Sequence, residues 1–320
     1  MASIFIRTLI LGLGLVAALV LLAGCGDDEA VVVDFKKTLP AKRPTDQVPA
    51  RPALRVAVAA MVTPQETHVL YQRLIRYLGL KLDREVEFVL RQTYREVNEL
   101  FGRGGLDLAF MCSGPYVSGR DKYGFELMAA PEVRGSHFYH SYLLVGRDSP
   151  ARSLADLRGT TFAFTDPDSN TGRLAPTCWL ARINERPETF FGRTIYTYSH
   201  DNSIMAVARG LVDGAAVDSL IWDYYNEVDP RYTSQTRVIM KSEPYGIPPL
   251  VAAPRLPPGL KESLRSILFD MHQDAEGRGI LAELKIDRFV PAQEEWYESV
   301  ARMMLEAERM EGSGDGVFEP

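Results

Sequence analysis

The sequence predicts an α/β protein of two lobes, with a central cleft and a hinge crossed twice by the chain. Three observations predict it. Strand and helix signatures alternate from Leu54 onward. One helix–glycine–strand unit occurs at residues 103–110 and again at residues 209–217. Two extended segments join the halves, one at residues 139–145 and one near residues 238–250, where Pro244, Gly246, Pro248 and Pro249 interrupt any helix.

Leu54 to Ala60 (Leu-Arg-Val-Ala-Val-Ala-Ala) is apolar apart from Arg55 and reads as a buried strand. Thr63-Pro64-Gln65-Glu66 then has the form of a capping box with proline at the first helical position. Val69, Leu70, Leu74, Ile75 and Leu78 recur at helical spacing behind it. Val86 to Leu90 is the next strand, and Thr93-Tyr94-Arg95-Glu96 a second capping box. Its helix buries Val97, Leu100 and Phe101 and stops at Gly102, before a strand over Leu106 to Met111. Strand–helix alternation of this kind is the pattern of a parallel sheet with crossover helices. In the two repeated units the glycines suit a left-handed helix exit. The C-terminal part is helical over 260–271, 274–284 and 291–310.

With 36 Lys+Arg against 42 Asp+Glu and 46% apolar residues, the 320-residue chain has ordinary globular composition and a net charge of −6. Wholesale disorder and a polytopic membrane protein are excluded, and nucleic acid is disfavoured as a partner, because phosphate backbones attract basic surfaces. Near the N-terminus, Arg7 precedes an apolar run to Ala23, then Leu22-Ala23-Gly24-Cys25. A basic start, a short apolar core and small residues make a secretion signal. A cysteine after the small pair resembles a bacterial lipobox, which implies lipidation at Cys25. The expected organisation is a signal over 1–24, a proline-bearing tether over 25–52, a first lobe over 53–141, a second over 142–247, and a return to the first with C-terminal helices over 248–320. Cys112 and Cys178 read as two separate buried thiols, although pairing is open in an oxidising compartment.

The chemistry concentrates at the end of one strand. Gly159 to Phe164 runs into Thr165-Asp166-Pro167-Asp168-Ser169-Asn170-Thr171-Gly172 and then an apolar helix. The first N–H groups of a helix lack partners and favour an anion. Ser169, Asn170 and Thr171 add side-chain donors, Gly172 would let a ligand approach the backbone, and Pro176 sits late enough to predict an irregular first turn. No Walker lysine follows the glycine, so a nucleotide loop is not expected. The five histidines show no metal-ligand spacing. No nucleophile–base pair stands out.

The segment D-P-D-S-N-T-G-R-L-A-P resembles the D-P-x-S-x-[ST]-G-x-x-x-P signature of the periplasmic phosphate/phosphite/phosphonate-binding proteins of ABC importers. Residues 198–219 resemble that family's S-H-x-x-S-I…V-D-S stretch, and residues 148–159 and 275–291 resemble its lead-in and tail. The resemblance implies a type II periplasmic-binding fold closing on a phosphorus oxyanion. It places Ser169, Asn170 and Thr171 on phosphoryl oxygens, Tyr94 as a donor from the opposite lobe and Tyr139 as a second tyrosine in the cleft. His200 would face the anion, and Asp218 would accept from a protonated oxyanion. Asn170 stands where the pattern has threonine. Glu243 is displaced from where a substrate ammonium would be met, which favours phosphite, phosphate or methylphosphonate over an aminophosphonate.

The expectation is therefore a non-enzymatic, monomeric binding protein without cofactor or metal. It would be anchored by lipid at the extracytoplasmic face of a bacterial membrane and would deliver its ligand to an ABC permease. A solute-sensing lipoprotein feeding a signalling partner, or a binder of another small oxyanion, is the alternative.

Overall fold

The computed structural model describes residues 52–312. The signal segment, Cys25 and nearly all of the expected tether lie outside the described residues. Strand β1 (Leu54–Val58) pairs in parallel with β2 (Val86–Val89) and β3 (Leu108–Phe110), with Leu54 opposite Val86 and Val56 opposite Leu108. Helix α1 (Pro64–Leu82) and helix α2 (Tyr94–Gly102) make the crossovers. Helix α3 (Ser113–Tyr123) follows, then strand β4 (Glu126–Glu132).

The two capping boxes differ in outcome. At α2 the box forms in full: the Thr93 hydroxyl accepts from Glu96 N–H, and the Glu96 carboxylate accepts from Thr93 N–H. At α1 it does not form, and Pro64 alone marks the start. The Thr63 N–H that Glu66 would have met donates instead to the Asp201 carboxylate, 3.2 and 3.3 Å from its two oxygens. A tertiary partner has displaced the local one.

The chain then passes through β5 (Phe138–Tyr139) into a second sheet. Strands β6 (Ser141–Gly146), β7 (Thr161–Phe164), β8 (Arg193–Tyr196), β9 (Gly214–Asp218) and β10 (Thr236–Lys241) stand in the order β10-β6-β9-β7-β8. Strand β7 is parallel to β8 and β9, while β6 is antiparallel to its neighbours β9 and β10. Helices α4 (Ala175–Ala181), α5 (Pro187–Phe190), α6 (His200–Ala208) and α7 (Ser219–Val228) flank it. The chain returns through β11 (Tyr245–Gly246), which pairs antiparallel with β5, so the two crossings form a small ribbon between the lobes. Strand β12 (Leu250–Ala252) then inserts between β3 and β4, and β13 (Arg288–Val290) closes the edge beside β4. Because β12 arrives from the other lobe it runs antiparallel to both neighbours, so the sheet is mixed rather than purely parallel.

The repeated unit appears as expected: Gly104 (φ 72°) and Gly210 (φ 66°) end helical turns in the left-handed region before β3 and β9. Helices α8 (Pro258–Asp270) and α9 (Ala275–Leu284) cover the first sheet. The last helix, α10 (Glu298–Gly312), lies against both α3 and α4. Its Met303 carbonyl accepts from the Cys178 thiol at 3.5 Å, and Tyr297 packs its ring edge-on against Tyr116 at 4.8 Å. Cys112 and Cys178 are both buried and free, the expected state. Among the described residues no helix is long and apolar enough to cross a membrane.

Candidate functional site

The carboxyl ends of the parallel strands in both sheets meet at one place, where ligands of open α/β sheets bind. From the first lobe come Tyr94, at the start of α2, and Cys112, after β3. From the second come residues 165–172 after β7, His200 after β8, and Asp218 at the end of β9. Tyr139 reaches in from the crossing strand β5. Tyr94, Tyr139, Ser169, Asn170, Thr171, His200 and Asp218 are all at most 1% exposed. The structure thus gathers all seven sequence-selected residues of the cleft, while Glu243 pairs with Arg182 on an exposed surface (3.2 Å).

Backbone geometry explains how the second lobe presents its groups. Ser169 caps the turn, its hydroxyl oxygen accepting from Gly172 N–H at 3.0 Å. Residues Asn170–Leu174 form one π-helical turn before α4 begins, which is the irregular start that Pro176 forecasts. Tyr198 occupies the left-handed region (φ 61°), where a bulky residue is strained, and turns the chain into Ser199 and His200. Gly172 is demanded by packing within the second lobe. A Cβ there would collide with the Thr165 side chain, so the glycine seats β7's exit against the turn. Gly172→Ala should lower stability by about 1–3 kcal/mol through overpacking. Chemical denaturation measures this, and an unshifted midpoint would contradict the tight seat.

The hydrogen bonds fix the state of the histidine. His200 Nδ1 accepts from the Asp218 backbone N–H at 3.0 Å, with the Thr165 hydroxyl at 3.2 Å. The ring's proton therefore resides on Nε2. Nε2 is buried and has no protein partner. The same holds for Tyr94 Oη, Asn170 Oδ1, Thr171 Oγ1, Ser199 Oγ and Asp218 Oδ2. The Asn170 amide donates to Tyr139 Oη at 3.1 Å, the Ser141 hydroxyl donates to the Thr171 carbonyl at 2.6 Å, and Asp218 Oδ1 accepts from Leu220 N–H at 2.7 Å.

Burial sets the charges. Complete burial lowers the His200 pKa to about 3 and raises that of Asp218 to about 7. Tyr94 is held well above its ordinary value by burial first, then by the proximity of Cys112, Asp166, Asp218 and Tyr139. No lysine or arginine among the described residues donates a hydrogen bond to this cluster. Nor do three His, Cys, Asp or Glu side chains gather there, or elsewhere among the described residues, to hold a metal ion.

The lobes touch directly around the cluster. Tyr94 N–H donates to Asp166 Oδ2 at 3.2 Å, His200 N–H donates to the Met61 carbonyl at 2.9 Å, and Arg95 approaches Asp168 at 3.7 Å. Gly114, in the first turn of α3, faces the opposite lobe so closely that a Cβ would lie 2.7 Å from the Asp168 carbonyl oxygen. Asp166 and Ser199 are buried members that the sequence reading did not select. Both flank selected residues, in D-P-D-S-N-T-G and S-H, where a cap or turn role is the ordinary expectation.

Two α/β lobes joined by paired crossings, with buried polar groups gathered at the strand ends between them, make the type II periplasmic-binding fold. The family described as ABC transporter, phosphonate, periplasmic substrate-binding protein matches residues 56–297. The chain belongs to that family. It is 29% identical over 154 residues to the phosphonates-binding periplasmic protein of Escherichia coli, covering 47% of this chain and 45% of the relative. It is 29% identical over 186 residues to the phosphate-import protein PhnD of Mycolicibacterium smegmatis, covering 54% of this chain and 57% of the relative. These matches span about half the length of those curated relatives. In fold it is similar to PhnD1 from Prochlorococcus marinus, solved in complex with methylphosphonate. The TM-score is 0.73 and the identity 20%, over 80% of this chain and 98% of the other.

Proposed function

We propose that the protein captures a small phosphorus oxyanion between its lobes (phosphate, phosphite or an alkylphosphonate) and presents it to the permease of an ABC importer. The observation that carries this reading is the set of buried, unpartnered polar atoms contributed from both lobes. Each such group costs about 1–3 kcal/mol unless a polar guest satisfies it. Tyr94 Oη, Thr171 Oγ1 and His200 Nε2 are donors for ligand oxygens. The Ser169 hydroxyl oxygen is occupied by the Gly172 amide, but its proton is free to donate. A half-turn of the Asn170 amide would let Oδ1 accept from Tyr139 and turn Nδ2 toward the ligand. Asp218 Oδ2 accepts from a protonated ligand oxygen, or carries the shared proton itself.

Docking begins on the second lobe, which supplies Ser169, Thr171, His200 and Asp218. Closure adds Tyr94 and the contacts at Asp166 and Met61. Ligand shifts the equilibrium toward the closed form because only that form makes both sets of contacts. Residues 22–25 support a lipid anchor at Cys25, which would hold the protein at the extracytoplasmic membrane face.

Thr171→Ala combined with Ser169→Ala should weaken phosphate and methylphosphonate binding about tenfold or more, since hydrogen bonds to charged groups contribute about 1.5–3 kcal/mol each. Isothermal calorimetry on folded variants is the test, with melting temperature reporting the lost cap separately. Wild-type affinity in the double variant would take the 169–171 turn out of the mechanism.

A further inference from the structure

Beside the polar cluster lies a second feature that a bare oxyanion does not use. Between the lobes, on the side of the crossing strands, is a cavity of about 270 Å³. This is just under the ~300 Å³ at which small-molecule pockets ordinarily begin. Among the seven cluster residues only Asp218 lines it. Its walls are largely apolar or aromatic, with Leu70 and Tyr71 from α1, Phe110 from β3, Tyr142 from β6 and Ile221 from α7.

The charges on its walls are uneven. Arg134 is engaged by Asp223 (3.2 Å) and Glu227 (3.3 Å), and Lys285 by Glu227 (2.6 Å). Lys241 makes no ion pair among the described residues, and its ammonium lies 6.0 Å from the centre of the Tyr142 ring. Asp223 is paired with Arg134 and lies within the field of Lys241, although burial raises its pKa. An ammonium-bearing substituent would find no free carboxylate there except Asp218, which burial pushes toward neutrality and which the oxyanion needs. A carboxylate would find Lys241.

We infer that the ligand is an organophosphonate or phosphate monoester whose neutral or carboxylate-bearing substituent, several heavy atoms long, fills this chamber past Asp218. The inference rests on the oxyanion reading above and narrows it. Bare phosphate or methylphosphonate would satisfy the polar cluster and leave the apolar walls without contact. Phenyl or carboxyalkyl substituents would bury apolar surface against Tyr71, Phe110 and Ile221.

Calorimetry on the full chain with methylphosphonate, phenylphosphonate, 3-phosphonopropionate and 2-aminoethylphosphonate tests this. Phenylphosphonate and 3-phosphonopropionate should bind about tenfold or more tightly than methylphosphonate, and 2-aminoethylphosphonate should bind weakest. Leu70→Trp, which fills the chamber from α1, should erase the advantage of the two larger ligands and leave methylphosphonate binding unchanged. Lys241→Met, at an exposed position, should weaken 3-phosphonopropionate alone. Methylphosphonate or 2-aminoethylphosphonate binding as tightly as the larger ligands, with Leu70→Trp silent, would overturn the chamber assignment and leave the oxyanion site standing. Failure of every one of these compounds and of inorganic phosphate to bind would overturn the oxyanion reading itself.

Discussion

Gly114→Val should abolish most ligand affinity while leaving the ligand-free protein folded. In the closed arrangement a Cβ at this position sits 2.7 Å from the Asp168 carbonyl oxygen and 3.1 Å from the Asn170 amide nitrogen, both of them backbone atoms of the opposite lobe. Backbone yields little, so the branched side chain acts as a wedge. A forced contact of this kind costs about 1–3 kcal/mol, which converts to roughly a 5- to 150-fold loss of affinity. Opening the lobes relieves the clash, so the melting temperature without ligand should fall by less than about 2 °C. Calorimetry with phosphate or methylphosphonate, paired with thermal melts, gives both readings. Unaltered affinity would mean that the ligand is held without the two lobes meeting here. A large fall in melting temperature would mean that the contact belongs to folding rather than to closure.

The second expected effect is on pH. In the proposed shell Asp218 and the ligand share one proton, whichever of them carries it. Once the pH exceeds the ionisation of both, above about pH 8, wild-type affinity should fall about tenfold per pH unit, since binding then takes up a proton. Asp218→Asn replaces the acceptor by an amide that donates to a fully ionised oxyanion. That variant should lose affinity near pH 6 and show a flattened profile at high pH. Dissociation constants measured from pH 6 to 9 decide it, and parallel profiles for the two proteins would remove Asp218 from the shell.

Stability carries the same signature with opposed signs. The Asp218 contribution, with its pKa raised to about 7, is complete at low pH and is lost as pH rises through 7. The His200 contribution, with its pKa lowered to about 3, is complete above the ordinary histidine value and is lost as pH falls through 3. Between about pH 4 and 6.5 the two slopes oppose each other, so Asp218→Asn should unmask a melting temperature that rises with pH.

Local rules carried much of the fold into the sequence. The Thr93–Glu96 box, the glycine exits at Gly104 and Gly210 and the buried run at β1 are decided by neighbours in the chain, and they read true. The Thr63 box was decided elsewhere, by Asp201 138 residues away. Helix α3 and strand β4 went unread. Ser-Gly-Pro-Tyr-Val-Ser-Gly has little amphipathic pattern, because the helix is buried between α10 and the 170–174 turn rather than laid on a surface. The chosen cluster residues were legible through the D-P-x-S motif and its companions, not through periodicity. Asp166 and Ser199 were hidden because a short polar residue at a turn reads the same whether it caps a helix or faces a partner lobe. The cavity past Asp218 draws its walls from several separate stretches of chain, and no linear pattern announces such a chamber.

The neutral His200, with its tautomer pinned by the Asp218 amide, has a physiological corollary. A pocket that grips an anion with fixed dipoles and no formal positive charge has no counter-ion for salt to displace. Mobile ions screen exposed charges over about 8–10 Å at ordinary ionic strength, but they weigh far less on a buried cluster of hydroxyl and imidazole groups. The hold on the oxyanion itself would then vary little between dilute and saline surroundings, whereas the hold on a substituent carboxylate at the exposed Lys241 would weaken with salt.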